Sequence, residues 1–218
     1  MQDLASELPR KSLLGTWVNS VRCGLMETFP TLRTDRLVLR EFAMADAPEL
    51  HRIARSWEVA RTMLHHPHPY EEGMAEEWIK DLRPLFESGK GTTFAVVLQE
   101  GGTLIGTVSL YTRAPDGTAV LGEEGTGLLG FWIGVPYWSR GYATEAVAEV
   151  VRYGFEERGL RRIRANHFGS NEASGRVLRK VGMSHVGTRP KYYEKWGNAE
   201  DREEYVLPVL KWRTTEVR

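Results

Sequence analysis

The stretch FWIGVPYWSRGYATEAV, Phe131 to Val147, decides the fold. The apolar run Leu128 to Val135 reads as a strand, and Pro136 stops it. A helix then runs to Arg158, with Val147, Val150, Val151 and Phe155 on one buried stripe and Gly159 just past its end. Between strand and helix stands Arg140-Gly141-Tyr142-Ala143, where Ser or Asp would ordinarily cap. A helix N-terminus carries unpaired N–H groups and the positive end of the helix dipole. Gly141 and Ala143 leave those donors open to a large anion, and Arg140 adds charge beside them, which suits a phosphate. No Gly-Lys-Ser/Thr follows, so this is not the nucleotide-binding P-loop, and the dinucleotide fingerprint G-x-G-x-x-G is absent. Taken alone, R-G-x-A also fits a loop glycine beside an exposed arginine.

Outward from this stretch, RRIRANHF (Arg161 to Phe168) reads as the next strand. A strand, helix and strand in succession make the two strands parallel. It is the only such unit in the chain. Upstream, RLVLREF (Arg36 to Phe42) alternates like a half-buried strand. MADAPELHRIARS reads as a short helix with Asp46 as cap, and EEGMAEEWIKDLRPLFESG as an amphipathic helix whose core stripe is Met74, Trp78, Ile79, Leu82 and Phe86. TTFAVVLQ and TLIGTVSLY form a hairpin around Gly101-Gly102. Downstream, NEASGRVLRKVG reads as a helix closed by Gly182. MSHVGTRPKYYEKW and REEYVLPVL read as a strand pair around the turn GNAED. Hairpin connections outside the single parallel unit predict a mixed, mainly antiparallel sheet.

The 218 residues suffice for one well-cored domain, and 41% hydrophobic content excludes general disorder. Lys plus Arg and Asp plus Glu are both 29, so the chain is electrically balanced. That argues against direct nucleic-acid binding, which draws on excess basic charge. The single cysteine, Cys23, permits no disulfide framework or thiolate-rich metal site and reads as inert. In HHPHPY, His65 to Tyr70, the prolines hold the backbone extended and point successive rings apart, so no metal site is expected. No run is apolar and long enough to span a membrane, and the N-terminus lacks a signal core, so the expected location is cytoplasmic. Residues 1–30 lack periodicity and read as an extension, with Met26 a second candidate start. Residues 31–218 read as one domain.

The landmarks LRTDRLVLREF, HPY before EEWI, IGTVSL, FWIGVPYWSRGYATEAV and SNEASGRVLRKVGM together resemble the GNAT superfamily of acetyl-CoA-dependent N-acetyltransferases. More narrowly, they resemble the branch that acetylates the N-termini of ribosomal proteins. The resemblance implies an α+β three-layer fold, with helices on both faces of the sheet and a central parallel strand pair that splays apart. It implies acetyl-CoA as co-substrate and no metal. The pantetheine arm would lie in the splay and pair with backbone near Ile133 and Val135, and an amide from Trp132 to Gly134 would polarise the thioester carbonyl. Loop amides of Arg140, Gly141, Tyr142, Ala143 and Thr144 would hold the pyrophosphate. Arg140, Arg176 and Lys180 are the cations for the 3′-phosphate. Where the family has Gln or Arg, three residues before Gly141, this chain has Trp138.

In NEASGRVLRKVG, Asn171 reads as an ordinary cap, while the resemblance adds an amide contact to CoA. Ser174 shares a face with Val177, Leu178 and Val181. A serine there ordinarily bonds a carbonyl one turn back. The resemblance makes it the acid that protonates the departing CoA thiolate, because the tyrosine many relatives carry four residues on is Leu178 here. The carboxylate often used as base before SN is missing from RANHF, where His167 faces away, leaving a water relay. The acceptor implied is a protein N-terminal α-amine, such as that of a ribosomal protein. A small-molecule amine (amino acid, polyamine or antibiotic) and a non-catalytic acyl-CoA sensor are the alternatives. Monomer and homodimer both stay open.

Overall fold

The computed structural model describes residues 28–112 and 124–216. The readings of Cys23, Met26 and residues 1–25 lie outside the described residues. The described chain folds as β1 (Leu32–Arg33), β2 (Leu37–Arg40), α1 (Ala47–Ala54), α2 (Trp57–Ala60), α3 (Met74–Glu87), β3 (Gly91–Leu98), β4 (Leu104–Tyr111) and β5 (Thr126–Ile133). It continues with α4 (Tyr142–Glu156), β6 (Arg162–Phe168), α5 (Glu172–Lys180), β7 (Ser184–Lys195), β8 (Asn198–Pro208) and α6 (Val209–Glu216). The eight strands form one sheet in the order β1-β2-β3-β4-β5-β6-β8-β7. Only β5 and β6 run parallel; every other neighbouring pair is antiparallel.

Two apolar cores make the three layers. On one face, Val147, Val150 and Val151 of α4 pack with Leu178 of α5 onto Val108, Leu110, Leu129 and Ile163 of the sheet. On the other face, Leu50 and Ile53 of α1 and Ile79 and Leu82 of α3 cover Ala95, Val97 and Leu104. The alternation read in β2 is real: Leu37 and Leu39 are fully buried. The first core reaches back to Phe29, whose ring lies 4.8 Å from Phe86 and 5.4 Å from Phe94.

Four local readings are corrected. The carboxylate of Asp46 does not cap α1; it accepts a two-pronged bond from Arg40 and the amide of Ala43. The turn between β7 and β8 is Trp196-Gly197, both left-handed at φ 54° and 73°, so β8 starts inside the predicted turn. The chain ends its last strand at Pro208 and turns into α6, where Trp212 packs 5.2 Å from Phe155. Strand β5 stops at Ile133, and Val135 belongs to a short 3-10 turn.

Candidate active site

Strands β5 and β6 pair only from Thr126 opposite Arg162 to Leu129 opposite Ala165, and no pairing continues beyond. The amide of Gly134 donates to the Ile105 carbonyl at 2.8 Å, so by alternation Trp132 and Gly134 turn their backbone groups toward β4. Those of Phe131 and Ile133 face the gap. Of the strand residues the sequence singles out, Ile133 alone offers its amide there, and Phe131 joins it unforeseen. Gly106 permits this close packing, because a Cβ on it would lie 2.3 Å from the Trp132 carbonyl oxygen. Trp138 fills its unusual slot by donating its indole N–H to the Ile133 carbonyl at 2.6 Å.

The helix start behaves as its sequence suggests. Gly141 occupies the cap position of α4 at φ 83°, with no side chain bonded to the first-turn amides. Ser139, two residues before, is also left-handed at φ 61°. Alternating backbone hands of this kind turn successive N–H groups into a concave anion seat. The exposed Arg140 is bound through its carbonyl, which accepts from Arg36 at 3.0 Å. The guanidinium of Arg36 lies 4.6 Å over the Tyr142 ring and pairs with Glu145 at 2.5 Å. Glu145 also accepts from the Thr34 hydroxyl at 2.6 Å and the Arg36 amide at 3.0 Å. Burial alone would raise its carboxyl, but these donors outweigh that and hold it below the ordinary carboxylate range. The clamp of Thr34, Arg36 and Glu145 escaped the sequence reading. Its only local signal is an acid in a first helical turn.

The gap opens into a cavity of about 1480 Å³. Gly141, Tyr142, Ala143 and Thr144 line it, together with Asn171, Ser174 and Lys180 on the side of α5. Trp132, Ile133, Thr107, Ser109, Tyr111, Asn166 and Glu204 line the sheet side, with Tyr70 and Trp78 among the residues of its outer wall. Gly134, Val135 and Arg140 do not reach the wall. Met74, read as core, reaches the cavity instead; Trp78 reaches it too while packing against the second core, its ring 5.2 Å from Phe42.

Asn171 does cap α5, accepting from the Ser174 amide at 3.3 Å, and its NH₂ donates to the Ser174 hydroxyl at 3.0 Å. Ser174 therefore does not bond back along the helix, and its own proton meets no acceptor among the described residues. His167 turns its ring toward α5, 5.4 Å from Tyr205 with its Nε2 against Gly175, and still lines the cavity. Glu204 stands opposite Asn166 on β8, tied to Arg189 at 3.0 Å and Arg202 at 3.1 Å.

The histidine loop, whose His65 and His66 line the cavity, is held by hydrogen bonds and ring contacts. The Nε2–H of His66 donates to the Ala54 carbonyl at 2.8 Å, and its ring stacks on Tyr70 at 4.9 Å. Burial pushes its pKa below the ordinary histidine value. The ammonium of Lys195, at the hairpin tip, donates to the carbonyls of Ala60, Met63 and His66. Among the described residues no group of three or more His, Cys, Asp or Glu is placed to hold a metal.

A family model described as an acetyltransferase (GNAT) domain matches residues 36–184. The chain belongs to the GNAT acetyltransferase family. As a GNAT chain it is 30% identical over 180 residues to the uncharacterized N-acetyltransferase YoaA of Bacillus subtilis, covering 82% of this chain and 97% of that protein. Its fold matches the ribosomal-protein-S5-alanine acetyltransferase of Vibrio fischeri, at TM-score 0.72 and 21% identity, over 84% and 98% of the two chains. It also matches Mycobacterium smegmatis RimJ in complex with CoA-disulfide, at TM-score 0.70 and 22% identity, over 85% and 88%. The GNAT domain makes this protein an N-acetyltransferase. No helix among its described residues is long and apolar enough to cross a membrane.

Proposed function

We propose that the protein moves an acetyl group from acetyl-CoA to the α-amine of a protein N-terminus, of the kind found on ribosomal proteins. The observation that carries this is a diverging strand pair leading into an uncapped, left-handed helix start. The residues present fit the co-substrate. The free amides from Gly141 to Thr144 suit a pyrophosphate, and the backbone of Phe131 with the amide of Ile133, whose carbonyl is already taken by Trp138, suits an amide-bearing arm. Lys180 and Arg176, both on the same cavity, are cations for a further phosphate, Arg176 also meeting Glu172 at 3.4 Å in an exposed pair. The peptide acceptor draws its support from the S5-alanine acetyltransferase and RimJ, whose fold the chain shares.

Acetyl-CoA supplies the activated acetyl as a thioester. The amide of Ile133 polarises the carbonyl of that group from within the gap. An α-amine has a pKa of about 8, so part of it is already neutral near pH 7 and a water relay removes the remaining proton. The new C–N bond forms as the C–S bond breaks; Ser174, its hydroxyl oriented by Asn171, donates its proton to the departing sulfur and regains one through water from the nitrogen, which loses a proton as it becomes the amide. Holding both reactants in one cavity makes the step local.

Incubating the protein with isotope-labelled acetyl-CoA and a cell extract, followed by mass spectrometry, tests the reading. Label on protein N-termini is the expected result. Label confined to small amines would replace the acceptor, and no label in any fraction would leave an acyl-CoA sensor.

A further inference from the structure

The sheet face beneath the acceptor half of the cavity is polar where a core strand would be apolar. Past a bulge near Ile105, the alternate residues Val108 and Leu110 pack into the core under α4, while Thr107, Ser109 and Tyr111 line the cavity. Thr107 and Ser109 are 3% and 6% exposed. Ser109 is satisfied, since its hydroxyl accepts from Thr93 at 3.0 Å. The Thr93 hydroxyl also lies 3.4 Å from that of Tyr111. Thr107 differs: its Oγ1 is buried and has no partner among the described residues. Valine would fill the same volume and favour the strand as well, without a buried unpaired hydroxyl, which is costly. Thr107 pairs across the sheet with Trp132, the residue before Ile133. The hydroxyl is therefore one strand away from the amide that faces the gap.

We propose that Thr107 binds the acceptor amine. Its hydroxyl oxygen accepts one N–H of the incoming nitrogen and turns the lone pair toward the thioester. Ser109 and Tyr111 continue the polar track toward the next hydrogen-bonding group of the acceptor. The acceptor class that matches is a primary amine with a polar group close by, as at a peptide N-terminus. A bare methylene chain would offer that track no hydrogen-bonding group. This rests on the acetyl-transfer reading above.

The test compares the parent with Thr107→Val and Thr107→Ser. The acceptors are short peptides beginning with Ser, Ala or Met, with spermidine as the methylene-chain amine. Acetyl-CoA binding is measured by calorimetry and Tm by thermal unfolding. We expect the parent to acetylate at least one peptide faster than spermidine. Thr107→Val should lower kcat/KM for that peptide by about tenfold or more, the loss of one hydrogen bond in a dry site, and Thr107→Ser should restore most of it. Acetyl-CoA affinity should not move, and the Tm of Thr107→Val should be unchanged or higher. A Thr107→Val kcat/KM within about twofold of the parent would overturn the proposal. So would a Tm lowered in Thr107→Val and restored in Thr107→Ser, which marks a structural hydroxyl, or a preference for spermidine. A parent that binds acetyl-CoA but acetylates neither class removes the acceptor reading itself, and one that does not bind it removes the cofactor reading.

Discussion

At the scale of single residues, the leaving-group chemistry proposed above rests on the pair Asn171 and Ser174. Asn171 spends its oxygen on capping α5 and its NH₂ on the Ser174 hydroxyl, which leaves the serine proton to be donated. Ser174→Ala should lower kcat with little change in acetyl-CoA affinity. The effect should sit near the low end of the range of about 10²–10⁴-fold for general acids, because a thiolate is a tolerable leaving group. A kcat within about twofold of the parent would mean the thiolate departs unassisted or through water. His66 makes a different claim. Burial lowers its folded pKa below the unfolded value of about 6.5, so the unfolded chain takes up its proton first. Its contribution is intact above that pH and declines as pH falls below it. Thermal unfolding between pH 7.5 and 5.5, about one unit either side of that value, should show a Tm fall in the parent that is smaller in His66→Gln, which keeps a donor for Ala54. An equal fall in both would assign the pH dependence to other groups. The cap at Asn171 was legible because it is local, while its bond to the Ser174 hydroxyl needed the structure. Thr107 was not legible, since nothing in an alternating strand says which face opens on a cavity.

At the scale of elements, the uncapped start of α4 needs external support, and the turn between β1 and β2 gives it. Glu145 sits in the first helical turn, where the dipole favours an acid, and takes three further donors from Thr34 and Arg36. Arg36→Ala removes the ion pair and the bond to the Arg140 carbonyl together. It should cost about 1–2 kcal/mol, modest because Arg36 is 48% exposed. Acetyl-CoA affinity should weaken in step. The folded carboxyl of Glu145 lies below its unfolded value of about 4.3, so this stabilisation is complete above that pH and vanishes as pH falls through the folded value. Denaturant titrations at pH 7 and pH 3.5, on either side of the unfolded carboxyl value of about 4.3, should show Arg36→Ala and parent converging at the acid end. A constant difference would place the effect outside Glu145. The motif itself was readable, because a missing cap and a glycine are local facts. Its clamp was not, since Arg36 and Glu145 are far apart in sequence. The hairpin tip and α6 were misplaced for related reasons. The Trp196-Gly197 pair looks less turn-like than the polar run after it, and α6 is defined mainly by where Trp212 finds Phe155.

At the scale of the whole molecule, one parallel crossover in an otherwise antiparallel sheet creates the gap, and that arrangement was visible in the order of elements. What the order could not say is where pairing stops. That is set by side-by-side register at Leu129 and Ala165. The N-terminal boundary is also a tertiary matter, because Phe29 is in the core although its surroundings lack periodicity. A chain starting at Met26 should keep the parent Tm and cofactor affinity. One starting at Thr31 loses Phe29 and should lose about 3–5 kcal/mol, the usual cost of deleting a buried phenylalanine. Equal Tm values for the two truncations would deny Phe29 that role. The account as a whole stands on acetyl-CoA lying in the gap with its phosphates at the α4 start. Gly141 holds φ 83°, and a Cβ there would sit 3.4 Å from the Arg36 guanidinium, so a carboxylate side chain would meet both strain and the anion it must admit. Calorimetric titration of acetyl-CoA, without added metal, into the parent and into folded Gly141→Glu is the most direct measurement. The account predicts saturable binding to the parent and none to the variant. A parent that does not bind, or a variant that binds with unchanged affinity, would contradict it.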